Sequence, residues 1–147
     1  MLVLKTIKIV HLCVVLRNGK LPYDNMDNLL SLSREGDMTS SLKGIVDNLS
    51  MTYDGNMLAS VSDSAPAPSV TGSADFRDGV SEAVEYTYDR NGNLTSDLNR
   101  KVSLISYNRQ NRPARMRHAG GTETFTYLPD GTKRGRTVLG KDRSSAG

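Results

Sequence analysis

The 147-residue sequence contains one cysteine, no tryptophan and only two phenylalanines. The single Cys13 excludes an internal disulfide framework and a zinc site built from several cysteines, and it does not identify the compartment. Hydrophobic residues make up 37% of the chain. This low content predicts a thin core and argues against a large, deeply buried enzyme core. No apolar run approaches the roughly 20 residues of a transmembrane helix, so no membrane span is expected.

Charge is unevenly distributed along the chain. Residues 1–99 carry 8 Lys/Arg and 13 Asp/Glu, whereas residues 100–147 carry 11 and 3. Aromatic residues between basic ones are typical of single-strand nucleic-acid binding, but the aromatics here fall at the positions of the tyrosines in the acidic part. The pattern therefore favours solvated strand faces whose arginines protect sheet edges, and it disfavours nucleic acid as a partner. The basic section comprises Arg109, Arg112, Arg115, Arg117, Lys133, Arg134 and Arg136.

Residues 1–20 form the most apolar segment of the chain. Charged residues interrupt it and no small-residue cleavage site follows, which favours a strand that ends in a turn at Asn18-Gly19. A degenerate export signal is the alternative interpretation. His11 and Cys13 would share one face of this strand. Because no third ligand or base lies nearby in the sequence, we interpret both as ordinary packing residues.

Two segments are predicted to lack regular structure. Residues 62–79 contain Pro66 and Pro68 among Ser, Ala and Gly, which excludes a central strand and predicts a linker loop. Phe76 is expected to anchor the far end of this loop. Residues 141–147 have almost no apolar content and are predicted to form a disordered tail. The linker separates two predicted repeat regions, residues 21–61 and 80–140.

Period-two alternation dominates the rest of the chain and predicts strands that are half buried. In one such run, Val84, Tyr86 and Tyr88 are expected on one face, while Glu85 and Thr87 are expected on the other. No helical stripe extends beyond a turn or two. The sequence therefore predicts an all-β fold without substantial helix. The clearest strand candidates are Leu49–Tyr53, Val84–Asp89, Ile105–Tyr107 and Glu123–Tyr127.

An internal repeat accompanies this alternation, because each strand ends at a tyrosine followed by a polar turn. Such a turn needs one residue at positive φ, which Gly, Asn and Asp adopt at the lowest cost. In the second half of the chain these tyrosines are 19 to 20 residues apart, which fits one hairpin per repeat. The repeat tyrosines are Tyr23, Tyr53, Tyr88, Tyr107 and Tyr127. The corresponding turn residues are Asp27, Gly55 (in a shortened copy), Gly92, Asn111 and Gly131.

These motifs resemble the YD repeats of the RHS family. The best match is YTYDRNGNLTSDLNRKVSLISYNRQNRPARM, residues 86–116, in the form found in Bacteroides-type bacteria. The segments MTYDGNMLASVSD and YLPDGTK are similar to the same form, and the resemblance covers residues 21–139. It implies repeated β-hairpins that form part of a curved, spiralling sheet.

The resemblance also implies a structural role rather than catalysis. In that family the sheet either encloses a toxic domain or serves as a scaffold in secreted and cell-surface proteins. The expected partners are neighbouring repeats of a longer shell or an encapsulated toxin domain, with self-association through exposed strand edges. The chain has no Asp-Pro self-cleavage motif and resembles a fragment of a longer array. The alternatives are a small basic module that contacts nucleic acid or anionic glycan through residues 100–143, and a non-functional truncated remnant.

No residue pattern predicts a catalytic, cofactor or metal site. The segment Asp89–Asn93 has its glycine at the fourth position and lacks the acidic twelfth residue of an EF-hand loop, so we interpret it as a plain turn. His118 precedes Ala119-Gly120-Gly121, where it is interpreted as an interchangeable polar residue. The two histidines, Cys13 and the scattered serines form no spacing typical of a nucleophile with its base. The chain is therefore predicted to be a non-enzyme.

Overall fold

A computed structural model describes residues 13–15, 21–70 and 75–140. All regular secondary structure in this part of the chain is β, which confirms the all-β prediction. None of the described residues belongs to a helix that could cross a membrane. The predictions for most of residues 1–20, and for the tail at 141–147, lie outside the described residues. The chain divides into unit 1, Met1–Ser81, and unit 2, Glu82–Gly147.

Unit 1 contains an antiparallel sheet in which strands that are consecutive in the chain pair side by side. Its apolar core is small, and a charged pair, Arg34 and Asp47, is buried with it. The strands are β1 (Cys13–Val15), β2 (Ser31–Asp37), β3 (Lys43–Asp54) and β4 (Met57–Asp63). The buried apolar residues among those described are Leu29, Val46, Leu49, Leu58 and Val61.

Unit 2 contains a six-stranded antiparallel sheet with the same consecutive pairing, from β5 at one edge to β10 at the other. Tyr86 and Val102 are its buried apolar residues in the described chain, and Glu85, Asp97 and Glu123 are its buried carboxylates. The strands are β5 (Tyr86–Tyr88), β6 (Leu94–Asp97), β7 (Val102–Tyr107), β8 (Pro113–His118), β9 (Gly121–Tyr127) and β10 (Lys133–Gly140).

The predicted alternation over Val84–Asp89 is wrong at its first two residues. Strand β5 begins only at Tyr86, and before it Val84 is 56% exposed while Glu85 is 2% exposed. The Glu85 carbonyl accepts the Leu98 N–H at 3.0 Å, and its Oε2 accepts a hydrogen bond from the Asn99 amide at 2.8 Å. These hydrogen bonds compensate for the burial of a charged residue that period-two alternation would expose.

The linker begins after Asp63 in the structure, two residues later than predicted. Strand β4 continues through Ser62 and Asp63, which pair with Ser50 and Leu49 of β3. Beyond β4, no described residue up to Glu85 belongs to a strand, and the unit boundary follows Ser81. Phe76 is half buried near the end of this segment, and its N–H donates to the Asp47 carboxylate at 2.7 Å.

Candidate functional site

The tyrosine-headed turns are the most regular feature of the molecule. In four hairpins the residue after the tyrosine closes the turn twice: its N–H donates to the carbonyl four residues on, and its carbonyl accepts the N–H three residues on. These bonds measure 2.8–3.2 Å. The residue four positions after the tyrosine has positive φ, a conformation that strains most side chains. The φ values are 61° at Asp27, 58° at Gly55 in the shortened turn, 76° at Gly92, 60° at Asn111 and 84° at Gly131.

In three of these turns the residue directly after the tyrosine also supplies a side-chain acceptor. Asp89 Oδ1 accepts the N–H groups of Asn91 and Asn93, both at 2.9 Å. The Asn93 amide donates in return to Asp89 Oδ2 at 2.9 Å. Asp24 makes the same three bonds with Met26 and Asn28, at 2.8–2.9 Å. Both oxygens of each carboxylate thus accept bonds from within the turn, which explains why Asp and Asn stand at these positions.

These bonds alter the acidity of the turn carboxyls. The Asn93 side chain, followed by its backbone N–H, holds the pKa of Asp89 below its ordinary value. Asn28 lowers the pKa of Asp24 in the same way. In the third turn the uncharged Asn108 takes this position, and its Oδ1 accepts N–H bonds from Gln110 and Arg112 at 2.9 and 3.0 Å. The acceptor oxygen at this position therefore needs no charge, and in the fourth turn, where Leu128 takes the position, Asp130 Oδ1 accepts the Thr132 N–H at 2.8 Å instead.

Successive hairpins are joined by a repeated hydrogen bond, which we call the inter-hairpin tyrosine bond. A tyrosine hydroxyl donates to the carbonyl of the residue that pairs with the tyrosine of the preceding hairpin. Leu29 pairs with Tyr23, Leu94 with Tyr88, and Pro113 with Tyr107. The bonds run from Tyr53 to Leu29, from Tyr107 to Leu94 and from Tyr127 to Pro113, each at 2.8 Å. Tyr23, which heads the first described hairpin, is 53% exposed.

Side chains also connect neighbouring turns. The Asn93 amide donates to Asn111 Oδ1 at 2.6 Å, and the Gln110 amide donates to the Pro129 carbonyl at 2.8 Å. In unit 1 the Asn28 amide reaches the Gly55 carbonyl at 3.1 Å. Each turn is thus aligned on the next one within its own sheet.

A register shift lies next to the tyrosine in the four hairpins with paired strands. One residue of the returning strand, such as Thr95 or Ala114, is left out of the pairing. The same occurs opposite Tyr53 and Tyr127. Bulges of this kind bend a strand and increase its twist. Their repetition gives each hairpin the same local departure from a flat sheet.

Three carboxylates of unit 1 are the described residues with metal-ligand geometry. One oxygen from each of Asp47, Asp63 and Asp75 lies within 4.8 Å of the others, and Asp63 and Asp75 also line a cleft of about 360 Å³. Arg34 pairs with the fully buried Asp47, while Asp63 Oδ1 accepts two backbone N–H groups at 2.9 Å. Burial, together with the charges of Asp47 and Asp63, raises the pKa of Asp75. No sequence motif identifies this group, because the three residues come from separate segments.

A second charged group in unit 2 corrects the interpretation of His118. Glu123 accepts two hydrogen bonds from the Arg136 guanidinium, at 2.8 and 2.5 Å, and these lower its pKa. His118 Nε2 lies 3.3 Å from Glu123 Oε1, and its Nδ1 accepts the Gly120 N–H at 3.1 Å. The imidazole therefore connects the β8–β9 turn to a buried carboxylate, which an arbitrary polar side chain could not do.

No family model, curated protein sequence or solved structure matches the chain.

Proposed function

We propose that the chain is a non-enzymatic structural repeat segment, part of the wall of a longer RHS/YD-repeat protein that is secreted or displayed at the cell surface. The inter-hairpin tyrosine bond is the observation that carries this proposal. Within each unit it joins every hairpin after the first to the hairpin before it, and the rule is the same in both units. Scaffolds built from stacked units depend on such nearest-neighbour contacts.

The small core supports a role that depends on neighbouring repeats. Repeat units generally cannot bury their apolar faces alone and gain stability by stacking. The recurrent bulges favour a curved sheet, as a spiralling shell requires. Neighbouring hairpins of the same type are therefore the proposed partners, and a toxin domain enclosed by the completed shell is the proposed cargo.

The edge strand β10 supports association with further strands. It forms one edge of the unit 2 sheet, and it carries Val138 and Leu139, which are 51% and 62% exposed. Exposed apolar edge strands readily pair with strands of other chains. In a longer array this edge would be covered by the next hairpin, whose tyrosine would donate to the carbonyl of Lys133, the residue paired with Tyr127.

The repeat proposal can be tested by lengthening the array. In the full chain, residues 88–106 are duplicated in tandem after Ser106, which adds one tyrosine-headed hairpin and keeps the 19-residue spacing. The added hairpin is expected to join the sheet, so that the dependence of the free energy of unfolding on urea becomes steeper. Far-UV circular dichroism is expected to show a proportional gain in strand signal.

The matched control inserts the same 19 residues in scrambled order at the same place. It should leave the urea dependence unchanged or lower the stability, since it supplies no tyrosine-headed turn. If the true duplication destabilises the chain as much as the scrambled insertion does, unit 2 is a closed domain and the repeat-scaffold proposal is wrong.

A further inference from the structure

The two faces of the unit 2 sheet differ sharply in chemistry. Residues that pair across antiparallel strands lie on the same face. Ser106, Arg115, Thr124 and Thr137 form one row across β7 to β10. The neighbouring row contains Arg117 and Thr122, with Leu104 of β7 and Leu139 of β10 at its ends. We call the six polar residues of these two rows the threonine–arginine face.

Acidic residues are absent from this face in the described strands. Strands β5 to β10 contain two carboxylates, Asp97 and Glu123. Glu123 pairs with Met116, and Asp97 pairs with Val102, which in turn pairs with His118. Met116 and His118 alternate with the two arginines along β8, so both carboxylates lie on the opposite face. Positive charge on the threonine–arginine face therefore has no acidic neighbour on the same face of these strands.

Arg115 and Arg117 are exposed and form none of the ion pairs found in the described chain. Two further basic residues of unit 2 are engaged on the opposite face. Arg136 binds Glu123, and the Lys133 ammonium lies 4.2 Å from the centre of the Phe125 ring. Arg115 and Arg117 stand two residues apart on β8, which separates their Cα atoms by about 7 Å.

Hydroxyl side chains flank Arg115 on both neighbouring strands and Arg117 on one, where the β7 partner of Arg117 is Leu104. Thr122 and Thr124 face them from β9, and Ser106 faces Arg115 from β7. A hydroxyl both donates and accepts hydrogen bonds, as the hydroxyl groups of sugars do. A guanidinium binds an oxyanion with two parallel hydrogen bonds. The face thus offers what a sugar polymer with anionic substituents would need.

Aromatic rings point away from this face. Phe125 and Tyr127 alternate with the threonines of β9, and the Tyr127 hydroxyl is used in the inter-hairpin tyrosine bond. Single-stranded nucleic acid is generally held by bases stacked on aromatic side chains, which the threonine–arginine face does not provide. The chemistry therefore favours a carbohydrate over a nucleic acid.

We propose that the threonine–arginine face binds a linear sulfated polysaccharide, with Arg115 and Arg117 pairing with sulfate groups and the flanking hydroxyls bonding to the sugar. This inference is independent of the repeat-scaffold proposal. It concerns the side chains on one face of the unit 2 sheet, whereas the scaffold proposal concerns the bonds between hairpins.

Titration calorimetry of the full chain with a heparin octasaccharide tests this inference. We expect binding whose affinity falls with salt, because association releases counterions. The double variant Arg115→Gln/Arg117→Gln should bind at least about tenfold more weakly, a loss of about 1.4 kcal/mol. Its slope of log affinity against log salt should be shallower by about two, because two arginines no longer pair with sulfate groups.

The matched control is Arg109→Gln/Arg134→Gln, which removes the same charge from two exposed arginines outside the face. It should retain the wild-type affinity within about twofold, and both variants should keep the wild-type melting temperature because the altered side chains are exposed. An equal loss in both double variants would show attraction to net charge alone and would overturn the inference. Absence of octasaccharide binding, or tighter binding of a single-stranded DNA of equal charge, would also overturn it.

Discussion

The two units use the same tyrosine-headed hairpin but are stabilised differently. Among the described residues, unit 1 buries five apolar side chains and the Arg34–Asp47 ion pair, whereas unit 2 buries two apolar side chains. The Arg136–Glu123 pair of unit 2 is more accessible to solvent, since the Arg136 side chain is 53% exposed. Unit 2 compensates with two of the three inter-hairpin tyrosine bonds and with side-chain bonds between successive turns. The same repeat can thus tolerate a small core when the turns themselves are well bonded.

The buried pair should give the largest difference between the units. Asp47→Ala leaves Arg34 charged in a buried site, and removing one partner of such a pair costs about 3–5 kcal/mol. Glu123→Ala in unit 2 should cost less, because Arg136 can turn into solvent. Urea unfolding measures the loss, and hydrogen exchange assigns it to unit 1 or unit 2. Equal losses in the two variants would contradict this contrast.

The turn glycines of unit 2 should give the next largest effects. Gly92 has open space around the position of an added Cβ, so Gly92→Val tests positive φ alone and should cost about 1–2 kcal/mol. Gly131→Val should cost a similar amount and also displace the exposed Arg112 side chain from the Tyr127 ring, because the added Cβ would lie 2.6 Å from Arg112 Cζ. Gly92→Asn should be tolerated better than valine, as Asn111 shows in the same position. Thermal melts that rank Val and Asn equally at Gly92 would refute the turn argument.

The inter-hairpin tyrosine bonds should contribute similarly in both units. Tyr53→Phe in unit 1 and Tyr107→Phe in unit 2 each remove one hydroxyl, and each should cost about 1 kcal/mol. Tyr23→Phe is the matched control, since that side chain is 53% exposed and heads the first hairpin. Chemical denaturation of the three variants makes the comparison. A loss at Tyr23 equal to that at Tyr107 would remove the special role of the bond.

Acid sensitivity should give the smallest effect, and it should occur in both units. The folded pKa values of Asp24 and Asp89 are lowered, so their stabilisation is fully present above the ordinary carboxyl pKa and is lost as the pH falls through the lowered values. Asp89→Asn keeps the acceptor oxygen, as Asn108 does. The variant should therefore lose less stability than the wild type between pH 5 and pH 2, measured as melting temperature. An unchanged pH profile would assign acid sensitivity to other carboxyls.

Local structure could largely be predicted from the order of residues. Period-two alternation predicts the parts of β3, β7 and β9 that lead to Tyr53, Tyr107 and Tyr127. The five turn residues stand at positive φ where Gly, Asn or Asp occurs four residues after the tyrosine or, at Gly55, two residues after it. These features depend on interactions within a few residues, so the sequence contains the whole cause. The tyrosine spacing also predicts one hairpin per sequence repeat, because chain connectivity alone determines that distance.

Long-range contacts could only be decided by the tertiary structure. The Arg34–Asp47 pair, the Asp47–Asp63–Asp75 cluster and the position of His118 depend on strand register across the sheet, which no local motif encodes. The acceptor of each tyrosine hydroxyl likewise lies in another hairpin. A shift of one residue in pairing would turn Arg115 and Arg117 toward Glu123. The separation of charge between the two faces is therefore a consequence of register, although every residue that takes part in it is visible in the sequence.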